Sequence, residues 1–434
     1  MRIHSFASQN FLPFKDGAIT FPCEKQEKYQ AEVQILTGEN GSGKTRLLCA
    51  LAAALGNPAD LNLRAERTPE SDFMVQLSSG QDLFLSYWSN GQALLRVNKN
   101  TPISPLSGFT SQNSLRQTGV FWEAVSRPGT NLSFSAQAYR GTSRVADVKI
   151  EAMKPVAVGP KDSFLTFDRP SHDDQIISQG MANLKMQSAM EFQGGVKQEE
   201  ARASKIVKRF EQSIREITGR PFTFLVKPQP ELHLVARWGG TEMKLNSLPD
   251  GLRSIIAWLI SCISKMDFSN PDHPDPMDLP LILLLDEPES HLHPAWQRKL
   301  IPAAQRVFPN AQIIVATHSP FVISSVNSGW IHILRFDSES RVEAKAAIPC
   351  SRGDTYIDAV EEVLGLTEWY DPETEYLLAR FREKRAEVLS TRGGTSELHE
   401  LAEQIAARSD SLKDMMAREL LQLKKQLERE AATK

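Results

Sequence analysis

The chain has 434 residues, of which 41% are hydrophobic and 24% charged, and carries a formal net charge of −3, ordinary values for a folded soluble protein. That balance gives no global sign of a nucleic-acid binder, so any such surface is local. The longest apolar runs, near 279–285 and 255–263, fall short of the roughly 20 residues that span a bilayer. Four scattered cysteines (Cys23, Cys49, Cys262, Cys350) without CxxC spacing exclude a disulfide framework or zinc site, and no basic-then-apolar leader is present. A cytoplasmic, soluble protein with reduced, mostly buried thiols and no membrane partner is expected.

Taken in order, residues 2–21 predict two strands around a turn at Asp16-Gly17. Ala31–Leu36 reads as a strand that runs at once into Thr37-Gly38-Glu39-Asn40-Gly41-Ser42-Gly43-Lys44-Thr45, and Arg46–Leu55 is strongly helix-forming. Residues 73–97 suggest strands broken by Ser-Gly and Asn-Gly turns, in an antiparallel side sheet. Residues 100–117 are polar and turn-rich, a loop, and 134–144 return to strand then loop. Residues 154–198 hold no sustained period and are broken by Pro155, Pro160, Pro170, Gly180 and Gly194-Gly195, so an insertion with short helices is expected.

Residues 200–218 form a basic amphipathic helix, with Ile206, Val207, Phe210, Ile214 and Ile217 on one stripe. A hairpin follows at 222–226 and 232–238. Leu245-Asn-Ser247-Leu-Pro249-Asp250-Gly251 then opens an apolar helix, 255–263. Leu279–Leu285 runs without alternation into Asp286-Glu287, which predicts a strand buried on both faces with carboxylates at its C-terminal end, where open α/β sheets bind ligands. Residues 296–307 are a helix, and 311–316 a second buried strand ending at Thr317-His318-Ser319-Pro320. Beyond Ala346 the pattern turns helical: 354–363, 373–390, a Gly393-Gly394 turn, and one long charged helix over 396–430 with a broken heptad stripe. That stripe calls either for packing of a helical hairpin on itself or for a partner surface.

The loop at 38–45 fits GxxxxGK[ST] in the strand–loop–helix context that a P-loop requires. Its glycines let backbone N–H groups wrap phosphates at a helix N-terminus, with Lys44 reaching the β- and γ-phosphates of ATP and Thr45 ligating Mg²⁺. Asp286 is the natural second metal-side residue, directly or through water. Glu287 is placed to orient or deprotonate an attacking water, and His318 to donate to the γ-phosphate or hold that water.

Together these motifs resemble the ATP-binding-cassette ATPases of the RecF/SMC-like branch, over roughly residues 2–333. The run Asp286-Glu-Pro-Glu-Ser-His-Leu-His-Pro294 with a later Ala-Thr-His-Ser-Pro is similar to the OLD-like, defence-associated ATPases, among them the Septu type. The resemblance implies an α/β fold, a mixed sheet flanked by helices, with a helical insertion and a C-terminal helical extension. It implies an N-terminal lobe over 1–153, an insertion over 154–199, a second lobe over 200–345 and a helical region over 346–434 for oligomer or partner contacts. Nucleotide ligands carried over from the family are Gly38, Asn40, Gly41, Ser42, Gly43, Lys44, Thr45 and Arg46. Gln137 stands at the Q-loop, facing nucleotide and metal, with Arg140 or Arg144 as alternatives.

In that family two subunits sandwich two ATPs, and the partner's signature loop, here 248–251, completes each site. Pro249 stands where the family carries Ser, which leaves Ser247, the Gly251 N–H and the helix dipole as donors. Slow hydrolysis, or ATP acting as a clamp, follows from that departure. No Toprim-like pattern of acids follows the ATPase, so a separate effector (nuclease or toxin) is implied beside a homodimer or higher homo-oligomer. The alternative is a RecF-like repair clamp that binds DNA.

Overall fold

The computed structural model describes residues 1–23, 31–57, 60–61, 72–79, 82–89, 92–98, 135–141, 149–154, 165, 167, 173–195, 201–229, 231–350, 355–366, 368–391 and 395–432. The loop expected at 100–117, Arg144, the three insertion prolines and the Gly393-Gly394 turn lie outside these residues. By its contacts the chain divides into two units, 1–364 and 365–434.

The first unit is built on apolar strands that need cover on both faces. β1 (Arg2–Gln9) and β2 (Gly17–Thr20) precede β3 (Glu32–Gly38), which feeds α1 (Lys44–Ala54). Then come β4 (Asp72–Ser79), β5 (Asp82–Ser89), β6 (Gln92–Asn98) and β7 (Ser135–Arg140). Two helices follow, α2 (Asp173–Gln193) and α3 (Arg202–Thr218), and a three-stranded meander, β8 (Phe222–Lys227), β9 (His233–Trp238) and β10 (Thr241–Lys244). α4 (Asp250–Ser269), β11 (Leu281–Asp286), α5 (Pro294–Val307), β12 (Ala311–Ala316), the single turn α6 (Pro320–Ile323), β13 (Trp330–Phe336), β14 (Val342–Ala344) and β15 (Ile348–Pro349) come next, and a short helical stretch (Tyr356–Asp358, then Ala359–Val363) closes it, where a helix over 354–363 is expected.

β13, β3, β12, β11 and β7 lie parallel in that order, with β14 and β15 antiparallel on the β13 edge. Every residue of β11 and β12 is buried, which explains the absence of polar alternation. A second sheet, β2-β1-β4-β5-β6, is antiparallel throughout. α1 lies between the two sheets, with Leu47 to Leu55 essentially inaccessible, as a helix apolar all round must be. The opposite face of the parallel sheet packs on α2, α3, α4 and α5. The fold is thus the expected α/β architecture, a mixed sheet flanked by helices.

The stripe of α3 is buried as its periodicity predicts, and Arg209 on its flank is tied to Asp275 and Asp278. None of the four cysteines is disulfide-bonded; Cys49 and Cys262 are buried, Cys350 is half-buried and Cys23 exposed. No described helix is long and apolar enough to cross a membrane.

Two expectations are corrected. The short helices expected between 154 and 198 are, over its described part, one 21-residue helix, α2. Gly180 does not break it. A Cβ there would lie 2.8 Å from the Ser264 Oγ of α4, so this glycine permits a close helix–helix approach instead. Nor is 396–430 one helix. The second unit holds α7 (Pro372–Thr391), α8 (Thr395–Ala406) and α9 (Asp410–Ala432). The Ser409 hydroxyl accepts from the Leu412 N–H at 3.2 Å and caps α9, so the chain turns between α8 and α9. Leu398, Leu401, Ile405, Leu412, Met416 and Leu423 then meet one another and the α7 residues Leu378 and Phe381.

Candidate functional site

Three parallel strands deliver their C-terminal ends to one cleft of about 640 Å³. β3 supplies the glycine loop. At Gly43 the backbone turns left-handed (φ 83°) to start α1, and a Cβ there would lie 2.8 Å from Phe14. Ser42 is buried, whereas Asn40 and Gly41 form an exposed crest. Lys44 is nearly covered, and its Nζ donates to the carbonyls of Gly38 (3.0 Å) and Glu39 (2.9 Å). Burial pulls the Lys44 amine below the usual lysine range, while Glu287 and Asp286 oppose that shift. Arg46 lies over the Phe11 ring at 5.2 Å.

β11 brings Asp286 to the same place from 241 residues away. The Thr45 hydroxyl donates to Asp286 Oδ1 at 2.8 Å, and Arg140 Nε, at the end of β7, donates to Asp286 Oδ2 at 3.0 Å. The register explains this: Arg140 is the direct neighbour of Asp286 across the parallel pair. A hydroxyl and one carboxylate side by side are hard oxygen donors that suit Mg²⁺, which retains several waters and phosphate ligands. Among the described residues no group of three or more His, Cys, Asp or Glu could hold a metal, so an all-protein cage has no candidate there.

Glu287 follows in left-handed backbone (φ 47°), unusual for a non-glycine residue. Three bonds hold that turn: Glu287 N–H donates to Ala316 O (2.9 Å), and the Ser290 N–H (3.1 Å) and Oγ–H (2.9 Å) donate to Glu287 O. Gly141 makes room for it, because a Cβ at 141 would stand 1.8 Å from that carbonyl oxygen. Burial, and then the adjacent Glu289 carboxyl, push the Glu287 carboxyl up to about 9. His318, at the end of β12, reaches Glu287 with Nε2 3.7 Å from Oε1. Burial and Lys44 keep its imidazole below the usual histidine range, and thus neutral. Beyond the glycine loop, Leu12, Pro13 and Ser340 also line the cleft. The Pro13 and Lys15 backbones are bonded to Val342, which stitches the 11–15 loop to β14.

Gly38, Asn40, Gly41, Ser42, Gly43, Lys44, Thr45, Arg46, Asp286, Glu287 and His318 therefore converge. Gln137 does not. It lies mid-strand, opposite Leu283 rather than Asp286, and is fully buried. Its amide donates to Cys262 O (3.3 Å) and Ser135 Oγ (3.2 Å) and accepts from Tyr139. The expectation that it faces nucleotide and metal is corrected: it is three residues short of the sheet edge, and Arg140 occupies that edge. Ser247 and Gly251 do not line the cleft either. Ser247 is exposed on a 3₁₀ turn, and Pro249 is the N-cap of α4 with no side-chain cap bond. Sequence reasoning missed Gly141, Glu289 and the rim formed by Leu12 and Pro13. Gly141 alone left a signal, as a glycine directly after a buried strand.

Residues 160–324 match a family model described as an AAA domain, putative AbiEii toxin, Type IV TA system, and residues 7–117 match one described as an AAA domain. The chain is 30% identical over 127 residues to the retron Vc95 probable ATPase of Vibrio cholerae serotype O1 biovar El Tor, covering 29% of this chain and 25% of that protein. It is 29% identical over 136 residues to the Septu protein PtuA of Bacillus thuringiensis, covering 30% and 34% respectively. Among solved structures it is similar to the SMC head domain from Thermotoga maritima, with TM-score 0.41 and 14% identity over 80% of this chain and 99% of that one. The matched stretches span about a quarter to a third of the length of these curated relatives. The likeness expected from the motifs is shown as far as AAA domains and partial similarity to a retron probable ATPase and a Septu protein.

Proposed function

We propose that the chain binds ATP with Mg²⁺ in the cleft, hydrolyses it slowly, and through nucleotide-dependent pairing of two copies controls a separate effector protein in anti-phage defence. The observation that carries the ATP site is the bond between Thr45 and Asp286, two motifs 241 residues apart that meet with their oxygens at 2.8 Å. Backbone N–H groups at the start of α1 and the Lys44 amine would hold the phosphates. Thr45 and Asp286 would hold Mg²⁺, which when bound neutralises phosphate charge. Arg140 orients Asp286 from its outer oxygen. Glu287 is placed to orient the attacking water, and in its ionised form, a minority near neutral pH with the carboxyl raised to about 9, to accept a proton from it. Neutral His318 is positioned to donate to that water or to a phosphate oxygen.

Pairing is supported by what the single cleft lacks. Ser247, Pro249 and Asp250 at the head of α4 are exposed and do not line their own cleft, which suits completion of a second copy's site. Pro249 there offers no hydroxyl, and that favours slow turnover. The relatives' names, a retron ATPase and a Septu protein, support the defence context. The test is analytical ultracentrifugation of Glu287→Gln with ATP and Mg²⁺. A nucleotide-dependent shift from one to two copies, absent in Lys44→Ala, is expected; a size indifferent to ATP refutes the pairing.

A further inference from the structure

The loop that follows Glu287 is tied twice to the turn that carries His318. Glu289 is 4% exposed, and its Oε1 accepts from the hydroxyl of Thr317, itself fully buried. The same hydroxyl accepts from the Ser319 N–H at 2.9 Å, so one carboxylate fixes the residues on both sides of His318. The second tie runs through Gln297, in the first turn of α5. Its Oε1 accepts from Ser319 Oγ (2.6 Å), and its Nε2 donates to Leu292 O (3.0 Å). Leu292 N–H in turn donates to Glu289 O at 2.9 Å, which closes the loop on itself.

A buried glutamate bonded to a threonine is ordinarily a structural tie, and a neutral glutamine would serve it without the desolvation of a carboxyl. Three features set this pair apart. Both ties end on the neighbours of His318, and both begin within five residues of Glu287. The far end of the same loop is wedged under the head of α4, where a Cβ on Gly251 would lie 2.8 Å from His291 O and 2.9 Å from Leu292 Cδ2. A push on the head of α4 therefore has a bonded route to His318.

We propose that Glu289 and Gln297 are positioning residues that latch the 289–292 loop to the Thr317–Ser319 turn, so that His318 meets Glu287 only while the loop holds its place. The proposal rests on the ATPase reading given above. It makes turnover responsive to whatever presses on the α4 head, with no change in how nucleotide is held.

The test uses Thr317→Val, which keeps volume and removes the hydroxyl, Thr317→Ser, which restores it, and the half-buried Gln297→Met. In Thr317→Val, which removes both bonds of that hydroxyl, kcat falls about tenfold, equivalent to about 1.4 kcal/mol in the activation free energy. KM and the affinity for a fluorescent ATP analogue stay within twofold. Thr317→Ser recovers most of the rate, and Gln297→Met loses severalfold. The latch is overturned if Thr317→Val and Gln297→Met turn over like the parent, if analogue affinity falls with kcat, or if serine fails to rescue. A readout independent of turnover separates this from failure of the ATPase reading. The His318 Cε1–H resonance, assigned by its loss in His318→Gln, should move in Thr317→Val and Gln297→Met and return in Thr317→Ser. A resonance that stays put overturns the latch even where no ATP is hydrolysed.

Discussion

Replacing Gly141 by alanine adds one methyl group outside the glycine loop, and the structure places it against the Glu287 turn. The new Cβ would sit 1.8 Å from Glu287 O and 3.0 Å from Ser290 Cβ. An ordinary contact begins near 3.4 Å, so the Glu287 carbonyl must retreat by about 1.5 Å, and it is backbone with no rotamer to change. The bonds from Ser290 that hold the left-handed Glu287 stretch together with it. Overpacking of this kind costs about 1–3 kcal/mol of stability. Misplacement of a catalytic group by about 1 Å costs on the order of a hundredfold in rate. Steady-state phosphate release should therefore fall about a hundredfold in Gly141→Ala. Binding of a fluorescent ATP analogue should persist, since the glycine loop hangs from β3, two strands away from β11. Gly17→Ala, whose nearest neighbour is 3.9 Å distant, serves as the control. Turnover and melting of Gly141→Ala matching the parent would refute the packing account of Glu287.

Further outcomes follow from the same geometry. Glu287→Gln should melt higher than the parent at neutral pH. A carboxyl raised to about 9 stabilises the fold below its unfolded value near 4.5 and loses that contribution as pH rises through 9. The gap should thus open between pH 5 and 9, to about 1–2 kcal/mol after allowance for a side chain one-third exposed; melting curves without nucleotide that show no pH-dependent gap contradict it. Gln137→Leu should lose about 1–3 kcal/mol of stability with an unchanged Mg²⁺ dependence of turnover, whereas Arg140→Met should change that dependence; the reverse pattern would restore Gln137 to the site. Ser409→Ala should loosen α9 by about 1 kcal/mol in hydrogen exchange, while in an uninterrupted helix alanine would tighten it.

The sheet and the glycine loop were legible because their signals are local and redundant. The apolar runs at 279–285 and 311–316 could only be strands covered on both faces, and the loop at 38–45 sits between a strand and a helix former. The meeting of Thr45 with Asp286 follows from the glycine loop and Asp286 both lying at C-terminal strand ends, so motif order sufficed. Gln137 misled because a strand's register decides which residue reaches the edge, and a sequence does not print register. Arg140 reaches Asp286 only by standing opposite it. Gly180 misled for a related reason: a glycine inside a helix looks like a breaker until the neighbouring Ser264 is known. The break between α8 and α9 hid in a heptad stripe that continues across it, with only Ser409-Asp410 as a capping signal. Glu289 left no signal of its own, since a second glutamate two residues after Glu287 reads as surface charge until Thr317 is brought beside it.

The central claim is that one chain carries a nucleotide site in which Lys44 and Thr45 bind and Glu287 turns over. Mg²⁺-dependent phosphate release and ATP binding, measured side by side on the parent, Lys44→Ala and Glu287→Gln, test it most directly. The parent should bind and release phosphate, Lys44→Ala should do neither, and Glu287→Gln should bind ATP without turning it over. Phosphate release by Glu287→Gln at the parent's rate, or a parent that binds no ATP, would contradict the account.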